Sequence, residues 1–139
     1  MILVDTNVIS EPLRKAPHTG VIEWIDSQPL ETLYLSAITV AELRFGVAAL
    51  PAGKRRNTLH DNLETMVLPM FTGRVLAFDL AATQAYAHLM SAARTAGLAI
   101  GAGDGYIAAT AATHRMAVAT HDIAPFTAAG VTVINPWGT

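Results

Sequence analysis

The side chains most able to do chemistry in this sequence are four carboxylates, two of which follow short apolar runs. Asp5 comes directly after residues 1–4, and Asp122 comes two residues after 116–120. Runs this short and apolar are typical of strands that are buried on both faces of a parallel sheet. Open sheets of that kind bind ligands at the carboxyl ends of their strands, so we expect both acids at that edge.

The other two acids interrupt apolar helix patterns. Apolar or small residues lie three, four and seven positions after Glu42, and Asp104 stands at the head of a similar stripe. This spacing places both acids on helix faces that are predicted to meet the core. An ionised carboxylate is seldom buried without a partner, because its desolvation costs several kcal/mol. A divalent cation would satisfy several of these carboxylates at once.

The available ligands narrow the choice of metal. The chain has no cysteine, and its five histidines show no ligand spacing. Carboxylate oxygens therefore favour the hard cation Mg²⁺, with Mn²⁺ as the alternative, and the number of ions, one or two, stays open. Such an ion acidifies water and stabilises the leaving oxygen of a phosphodiester, so the pattern predicts metal-dependent hydrolysis of that bond.

The rest of the chain alternates short apolar runs with helical patterns. We predict strands at 1–4, 33–36, 74–78, 116–120 and 131–134, and helices at 8–15, 21–27, 38–50, 54–67, 79–96, 104–114 and 125–129. Asp79 is a favourable N-cap for the longest helix, and Gly97 marks its end. This order predicts an α/β fold in which helices cover both faces of a mostly parallel sheet of four to five strands. With no repeat or linker, residues 1–139 form one predicted domain.

Composition limits the setting in which the protein works. Hydrophobic residues make up 52% of the chain and charged residues only 14%, which favours extensive burial, partly in a partner. The longest weakly charged stretch, 95–113, carries Asp104, and the N-terminus lacks a signal-peptide pattern, so we predict a cytoplasmic protein with no membrane span.

The net charge of −2 lacks the basic excess of most nucleic-acid binders. When the four acids are set aside, however, the chain has seven other acidic residues and nine basic ones.

Each carboxylate taken singly also has a structural explanation. Asp5 and Asp104 could cap helices, Glu42 could pair with an arginine, and Asp122 could be a turn residue. The basic run 54–56 could hold phosphates or form a solvated helix face. Convergence of all four acids at one edge of the sheet would separate a functional site from these alternatives.

Four motifs in order carry a family resemblance that extends along the whole chain. They are Asp-Thr-Asn-Val-Ile-Ser-Glu at 5–11, Ser-Ala-Ile-Thr-Val-Ala-Glu-Leu-Arg-Phe-Gly at 36–46, Asp-Gly-Tyr-Ile-Ala-Ala-Thr-Ala at 104–111 and Ala-Thr-His-Asp-Ile-Ala-Pro-Phe at 119–126. Together they resemble PIN-domain ribonucleases, in particular the toxin subunits of VapBC-type and FitAB-type toxin–antitoxin pairs. The ending Val-Ile-Asn-Pro-Trp at 133–137 is similar to FitB-like toxins.

The resemblance implies a three-layer α/β/α PIN domain and a Mg²⁺-dependent endoribonuclease, the toxin of a type II toxin–antitoxin module. It implies that the catalytic metal ligands are Asp5, Glu42, Asp104 and Asp122, supported through hydrogen bonds by Asn7 and Thr120. The implied partners are the RNA substrate, a small antitoxin, operator DNA bound only through that antitoxin, and a second copy of the chain in a homodimer. Gly101-Ala102-Gly103 replaces a bulkier family segment, so we expect a flexible approach to the third acid.

Two other functions compete with this one. A catalytically weak PIN-fold module could act mainly within an antitoxin and DNA complex, but it would have no reason to tolerate four mutually repelling acids. A phosphohydrolase could use Asp5 as its nucleophile, as Asp-x-Asp enzymes of the haloacid dehalogenase type do. Asn7 stands where the second aspartate of that motif would be, which weighs against the nucleophile.

Overall fold

The computed structural model describes residues 1–138, and within them a five-stranded sheet forms the centre of the molecule. Every strand pairing in this range is parallel. The strands are β1 (Ile2–Val4), β2 (Leu33–Ser36), β3 (Val75–Leu76), β4 (Ala117–Ala119) and β5 (Val133–Ile134). Their order is β3-β2-β1-β4-β5, so the chain builds outward from β1 to β3 and then returns to the other side of β1. The strand order therefore reverses between β1 and β4, and sheets of this kind bind ligands at such a point.

Helices connect the strands and lie on both faces of the sheet. They are α1 (Thr6–Ile9), α2 (Thr19–Ser27), α3 (Ala37–Ala48), α4 (Lys54–Asn62), α5 (Leu80–Thr95), α6 (Ala102–His114) and α7 (Ile123–Ala128). Short 3₁₀ turns cover Glu11–Leu13, Leu30–Thr32 and Leu68–Phe71, and a π-helical turn covers Leu63–Val67. The predicted three-layer α/β/α fold is confirmed.

Two predicted helices are divided. The helix expected at 8–15 is the short α1 followed by a 3₁₀ turn, because Pro12 near the start of that turn has no amide hydrogen for a continuous helix. The helix expected at 54–67 ends its α-helical part at Asn62 and continues as the π-helical turn. By contrast, the predicted ends of α5 are correct: the Asp79 side chain accepts a hydrogen bond from the Ala82 amide at 3.0 Å, and Gly97 has a φ of +74°.

Two apolar clusters hold the three layers together, one on each face of the sheet. Alternation along β1 supplies both, since Leu3 belongs to one cluster and Val4 to the other. The Val4 cluster includes Phe71, while the Leu3 cluster includes Phe126 and several small residues of α6. No helix in residues 1–138 is long and apolar enough to span a membrane.

Candidate active site

Asp5 lies where β1 ends, beside the end of β4. Its backbone amide donates to the carbonyl of Ala119 at 2.9 Å, which fixes the residue to the neighbouring strand. One carboxylate oxygen, Oδ1, accepts from the Thr6 amide at 2.8 Å, so Asp5 does cap α1. The other, Oδ2, accepts from the Thr120 hydroxyl, also at 2.8 Å. The residue is only 4% exposed, and these three hydrogen bonds hold it in place.

The ionised form of Asp5 is disfavoured in this position. Burial, with smaller contributions from the negative charges of Asp104 and Glu42, raises its pKa from 3.8 to about 6. The hydrogen bonds from Thr120 and Thr6 oppose this rise without cancelling it. A cation held here would lower the pKa of Asp5 again, because a nearby positive charge favours the ionised carboxylate.

Glu42 reaches the site from α3 through a bond that the sequence did not predict. The Thr6 hydroxyl donates to Glu42 Oε1 at 2.7 Å and lies 3.3 Å from the hydroxyl of Thr39. Ser36, the N-cap of α3, donates in turn to Thr39 at 3.3 Å. Thr6 was not predicted as a site residue. The only indication of its role in the sequence is its position between Asp5 and Asn7 in the first motif.

The predicted core face of α3 is wrong. Glu42 is exposed, and Phe45, which follows it on the same face, is 74% exposed. The buried residues of α3 are Thr39, Leu43 and Val47. Glu42 therefore does not interrupt a core stripe; it lies on an outward face that also carries a large apolar side chain.

Asp104 lies in the first turn of α6 and is half-buried. Burial raises its pKa, and the charges of Asp122 and Glu42 raise it further. Gly101 is the N-cap of α6, so Asp104 is not the capping residue. The core stripe predicted behind it is largely correct, since Ile107, Ala108 and Ala111 are buried.

The Gly101-Ala102-Gly103 segment forms the start of α6 rather than a separate loop. A Cβ atom added at Gly103 would lie 3.5 Å from Glu42 Oε2. The first turn of α6 thus passes close to the carboxylate carried by α3.

Asn7 and Thr120 join the two halves of the site. The Asn7 amide nitrogen lies 3.4 Å from Asp5 Oδ2 and 3.3 Å from Thr120 Oγ1. The Asn7 amide oxygen accepts from the backbone of His121 at 3.1 Å, and Thr120 Oγ1 accepts from the backbone of Asp122 at 3.0 Å. Asp122, which is exposed, is held beside the site by this loop.

The four acids lie near enough for their charges to interact, and none of them forms an ion pair within residues 1–138. The negative charge of Glu42 raises the pKa of both Asp5 and Asp104, and the charge of Asp122 also raises that of Asp104. Within residues 1–138 the arginine ion pairs are Arg14 with Glu11 and Arg44 with Glu64, so the four acids are left uncompensated. Arg74 donates to the backbone carbonyls of Leu30, Leu33 and Met70 and is not the arginine partner that Glu42 could have had.

The carboxylate oxygens suit a hard cation, but their spacing limits how many of them can bind the same ion. No three acidic or histidine side chains in the described part of the chain lie close enough together to hold one ion. Mg²⁺ commonly uses only one or two carboxylates and keeps several waters, so pairs of these acids are sufficient ligands. The ligand roles of Asp5, Glu42, Asp104 and Asp122 and the supporting roles of Asn7 and Thr120 stay predictions.

A cavity of about 340 Å³ opens beside Glu42. Its lining includes Thr6, Arg14 and Arg55, the last of which belongs to the basic run 54–56. Positive charge therefore lies next to the acidic cluster, where a polyanion could contact both.

Comparison with known proteins agrees with this architecture. The PIN domain model matches residues 2–130, and the chain belongs to the PIN-domain family. Its curated relatives place it in the VapC and FitB group of that family. It is 61% identical to VapC ribonuclease Y4jK of Sinorhizobium fredii, over 99% of this chain and 98% of the relative. It is 58% identical to toxin FitB of Neisseria gonorrhoeae, over 99% of both chains.

Solved structures show the same likeness in three dimensions. The crystal structure of FitAcB from Neisseria gonorrhoeae superposes with a TM-score of 0.97 at 57% identity, covering 100% of both chains. A structure of FitAB bound to an IR36 DNA fragment gives a TM-score of 0.97 at 56% identity, covering 100% of this chain and 97% of that one. The resemblance to PIN-domain toxins is thereby confirmed.

Proposed function

We propose that this chain is the toxin of a toxin–antitoxin pair and an endoribonuclease that requires Mg²⁺ or Mn²⁺. The observation that carries the proposal is the buried Asp5 carboxylate, whose pKa is raised by burial and by the charges of Asp104 and Glu42, while no ion pair among the described residues compensates these acids. The identity of 61% to a relative named as a VapC ribonuclease supports RNA as the substrate. The cytoplasm, where RNA is abundant, is the proposed place of action.

The ion would be held by a pair of carboxylates from among Asp5, Glu42, Asp104 and Asp122, with water as its remaining ligands. Bound there, it supplies positive charge that acidifies water and stabilises the leaving oxygen of a phosphodiester. The protein's own groups prepare the site: Thr120 and the Thr6 amide orient the two oxygens of Asp5. The Thr6 hydroxyl fixes Glu42, and Asn7 fixes the backbone that leads to Asp122.

The surroundings of the site suit a nucleic-acid substrate. Arg55 lines the cavity beside Glu42 together with Arg14, which is paired with Glu11, and the charge of Arg55 would attract a phosphate next to the cleaved bond. The acidic cluster would otherwise repel RNA. A groove with both charges therefore positions the backbone while leaving the reacting phosphate at the carboxylates.

We also propose an antitoxin partner and a homodimer. The related solved structures are of FitA and FitB complexes, one of them bound to DNA, which supports an antitoxin that carries the DNA contact. Phe45 offers a large exposed apolar side chain on the face of α3 that carries Glu42. An antitoxin that covers Phe45 would also cover the acidic cluster, which explains how binding could block activity.

The test is cleavage of labelled total RNA with Mg²⁺, with Mn²⁺ or with EDTA. We expect cleavage only with a metal ion, and losses on the order of 100-fold or more for Asp5→Asn and Asp104→Asn, because even outer partners of metal sites cost 10- to 100-fold. Asp26→Asn, which removes a charge from an exposed residue of α2, should cleave like the parent. Cleavage in EDTA, or full activity of both site variants, would reject the proposal.

A second assay separates a toxin from a binding module. Expression of the parent should arrest growth, and co-expression of the small protein encoded beside it should relieve the arrest. Expression of Asp104→Asn should not arrest growth, although this variant should still bind the antitoxin. Equal toxicity of the parent and Asp104→Asn would favour the binding module.

A further inference from the structure

The rings of His121 and Trp137 are stacked at one edge of the acidic cluster. Their centroids lie 4.2 Å apart, and the ring planes are inclined by only 16°. Trp137 is half-buried and packs against the Val4 cluster, and its amide donates to Asn135 Oδ1 at 3.0 Å. One face of the His121 ring therefore rests on a side chain that is anchored to the core.

The backbone around His121 is fixed from the active site itself. Its amide donates to Asn7 Oδ1 at 3.1 Å, and the next residue, Asp122, donates its amide to Thr120 Oγ1 at 3.0 Å. His121 is nevertheless exposed to solvent. Because Trp137 covers one ring face, the accessible surface of the ring lies on the opposite face and the edges.

We propose that this open face of His121 is a stacking platform for a nucleobase of the RNA substrate, next to the phosphate that is cleaved. The inference rests on the proposed ribonuclease function. Proteins recognise single-stranded RNA by stacking splayed bases on aromatic side chains, histidine included. Trp137 is the positioning residue, since it holds the His121 ring at a fixed height and orientation beside Asp122.

Neither partner alone would provide this platform. An exposed histidine on a loop samples several rotamers, and ordering it on binding would cost part of the stacking energy. The contact with Trp137 orders the ring in advance. The aromatic pair joins residues from two distant loops, so it forms only in the folded chain.

Three substitutions separate stacking from other roles of the histidine. His121→Ala removes the ring, His121→Gln keeps a polar side chain without a ring, and His121→Phe keeps a flat ring without nitrogen. Binding should be measured in EDTA, with a labelled RNA that the parent cleaves when Mg²⁺ is added. We expect Ala and Gln to weaken binding roughly 5- to 100-fold and Phe to bind within about twofold of the parent.

Kinetics with Mg²⁺ gives a second readout. The Ala and Gln variants should raise KM with little change in kcat, because stacking holds the RNA equally before and during the reaction. His88→Ala, at an exposed position on α5, is the matched control and should behave like the parent. If Gln retained full affinity while Phe lost it, the histidine would act through its nitrogens and the platform would be wrong.

Tryptophan fluorescence reports on the stack directly. The chain has two tryptophans, so Trp24→Phe leaves Trp137 as the only one. Saturating RNA in EDTA should change the emission of Trp137, and adding His121→Ala should abolish most of that change. An unchanged emission would overturn the inference. A parent that cleaves no RNA with any metal would instead overturn the proposed function, so the two failures are distinguishable.

Discussion

Replacing Asp5 by asparagine should make the metal-free protein more stable at neutral pH. Asparagine has nearly the same shape as aspartate but carries no charge. In the parent, burial and the neighbouring charges of Asp104 and Glu42 raise the pKa of Asp5 to about 6. At pH 7 the ionised Asp5 is therefore unfavourable in the folded protein, whereas in the unfolded chain the same charge is exposed to water and costs nothing.

The size of the effect follows from the pKa. A rise from 3.8 to about 6 is about two units, and at about 1.4 kcal/mol per unit it costs about 3 kcal/mol once Asp5 is ionised. The folded state binds more protons than the unfolded state between these values, so stability falls as pH rises through that window. Asparagine avoids this cost but cannot accept the Thr120 hydrogen bond in the same way, which forfeits about 1 kcal/mol. The net gain expected is about 2 kcal/mol at about pH 7.

Urea unfolding in EDTA, at about pH 4 and about pH 7, measures this difference. The gap between Asp5→Asn and the parent should be present at the higher pH and should nearly vanish at the lower one. Adding Mg²⁺ should stabilise the parent more than the variant and so close the gap. Asp26→Asn should match the parent at both pH values. An Asp5→Asn protein less stable than the parent at neutral pH, or a gap independent of pH, would refute the reasoning.

Two further perturbations test the geometry around the site. Thr120→Val removes a hydrogen bond that lowers the pKa of Asp5. The acidic limb of the pH–rate profile should therefore move to higher pH. A limb that does not move would contradict the hydrogen bond from Thr120. Gly105→Ala would place a Cβ atom 2.8 Å from Met90 Sδ and 3.0 Å from Tyr86 Cε2, and urea unfolding should show a loss of about 1 kcal/mol, because the gain in helix propensity offsets part of the overpacking cost. Gly103→Ala, where the nearest contact is 3.5 Å, is the control and should show no such loss in urea unfolding.

The sequence was informative where short-range patterns decide the structure. An apolar run followed by Asp5 predicts a buried strand with an acid at its carboxyl end, and the structure has β1 in the middle of the sheet. The alternation of strands and helices likewise predicts a parallel sheet. Asp79 and Gly97 mark the two ends of α5 because capping and the left-handed conformation are local requirements.

The face of α3 could not be assigned from the sequence. This helix is apolar on nearly every side, with Leu43 and Val47 on one face and Phe45 on another. Periodicity identifies a core face only when the opposite face is polar. A surface kept apolar for a partner has the same pattern as a core, so Glu42 was placed on the wrong face.

Contacts between distant segments were also beyond the sequence. The bond from Thr6 to Glu42 joins α1 to α3, and the stack of His121 on Trp137 joins the β4–α7 loop to the C-terminal segment. Such pairs depend on how strands are ordered in the sheet. The four motifs nevertheless lead to the correct family, because each is a short local pattern that can be read without knowing these contacts.

The most direct test of the central claim is anomalous diffraction from crystals of the protein soaked with Mn²⁺. The account predicts an anomalous peak in contact with the carboxylate of Asp5 and at least one of Glu42, Asp104 and Asp122, and no such peak in Asp5→Asn crystals. A parent crystal with no peak at these carboxylates, or with Mn²⁺ bound only elsewhere, would contradict it.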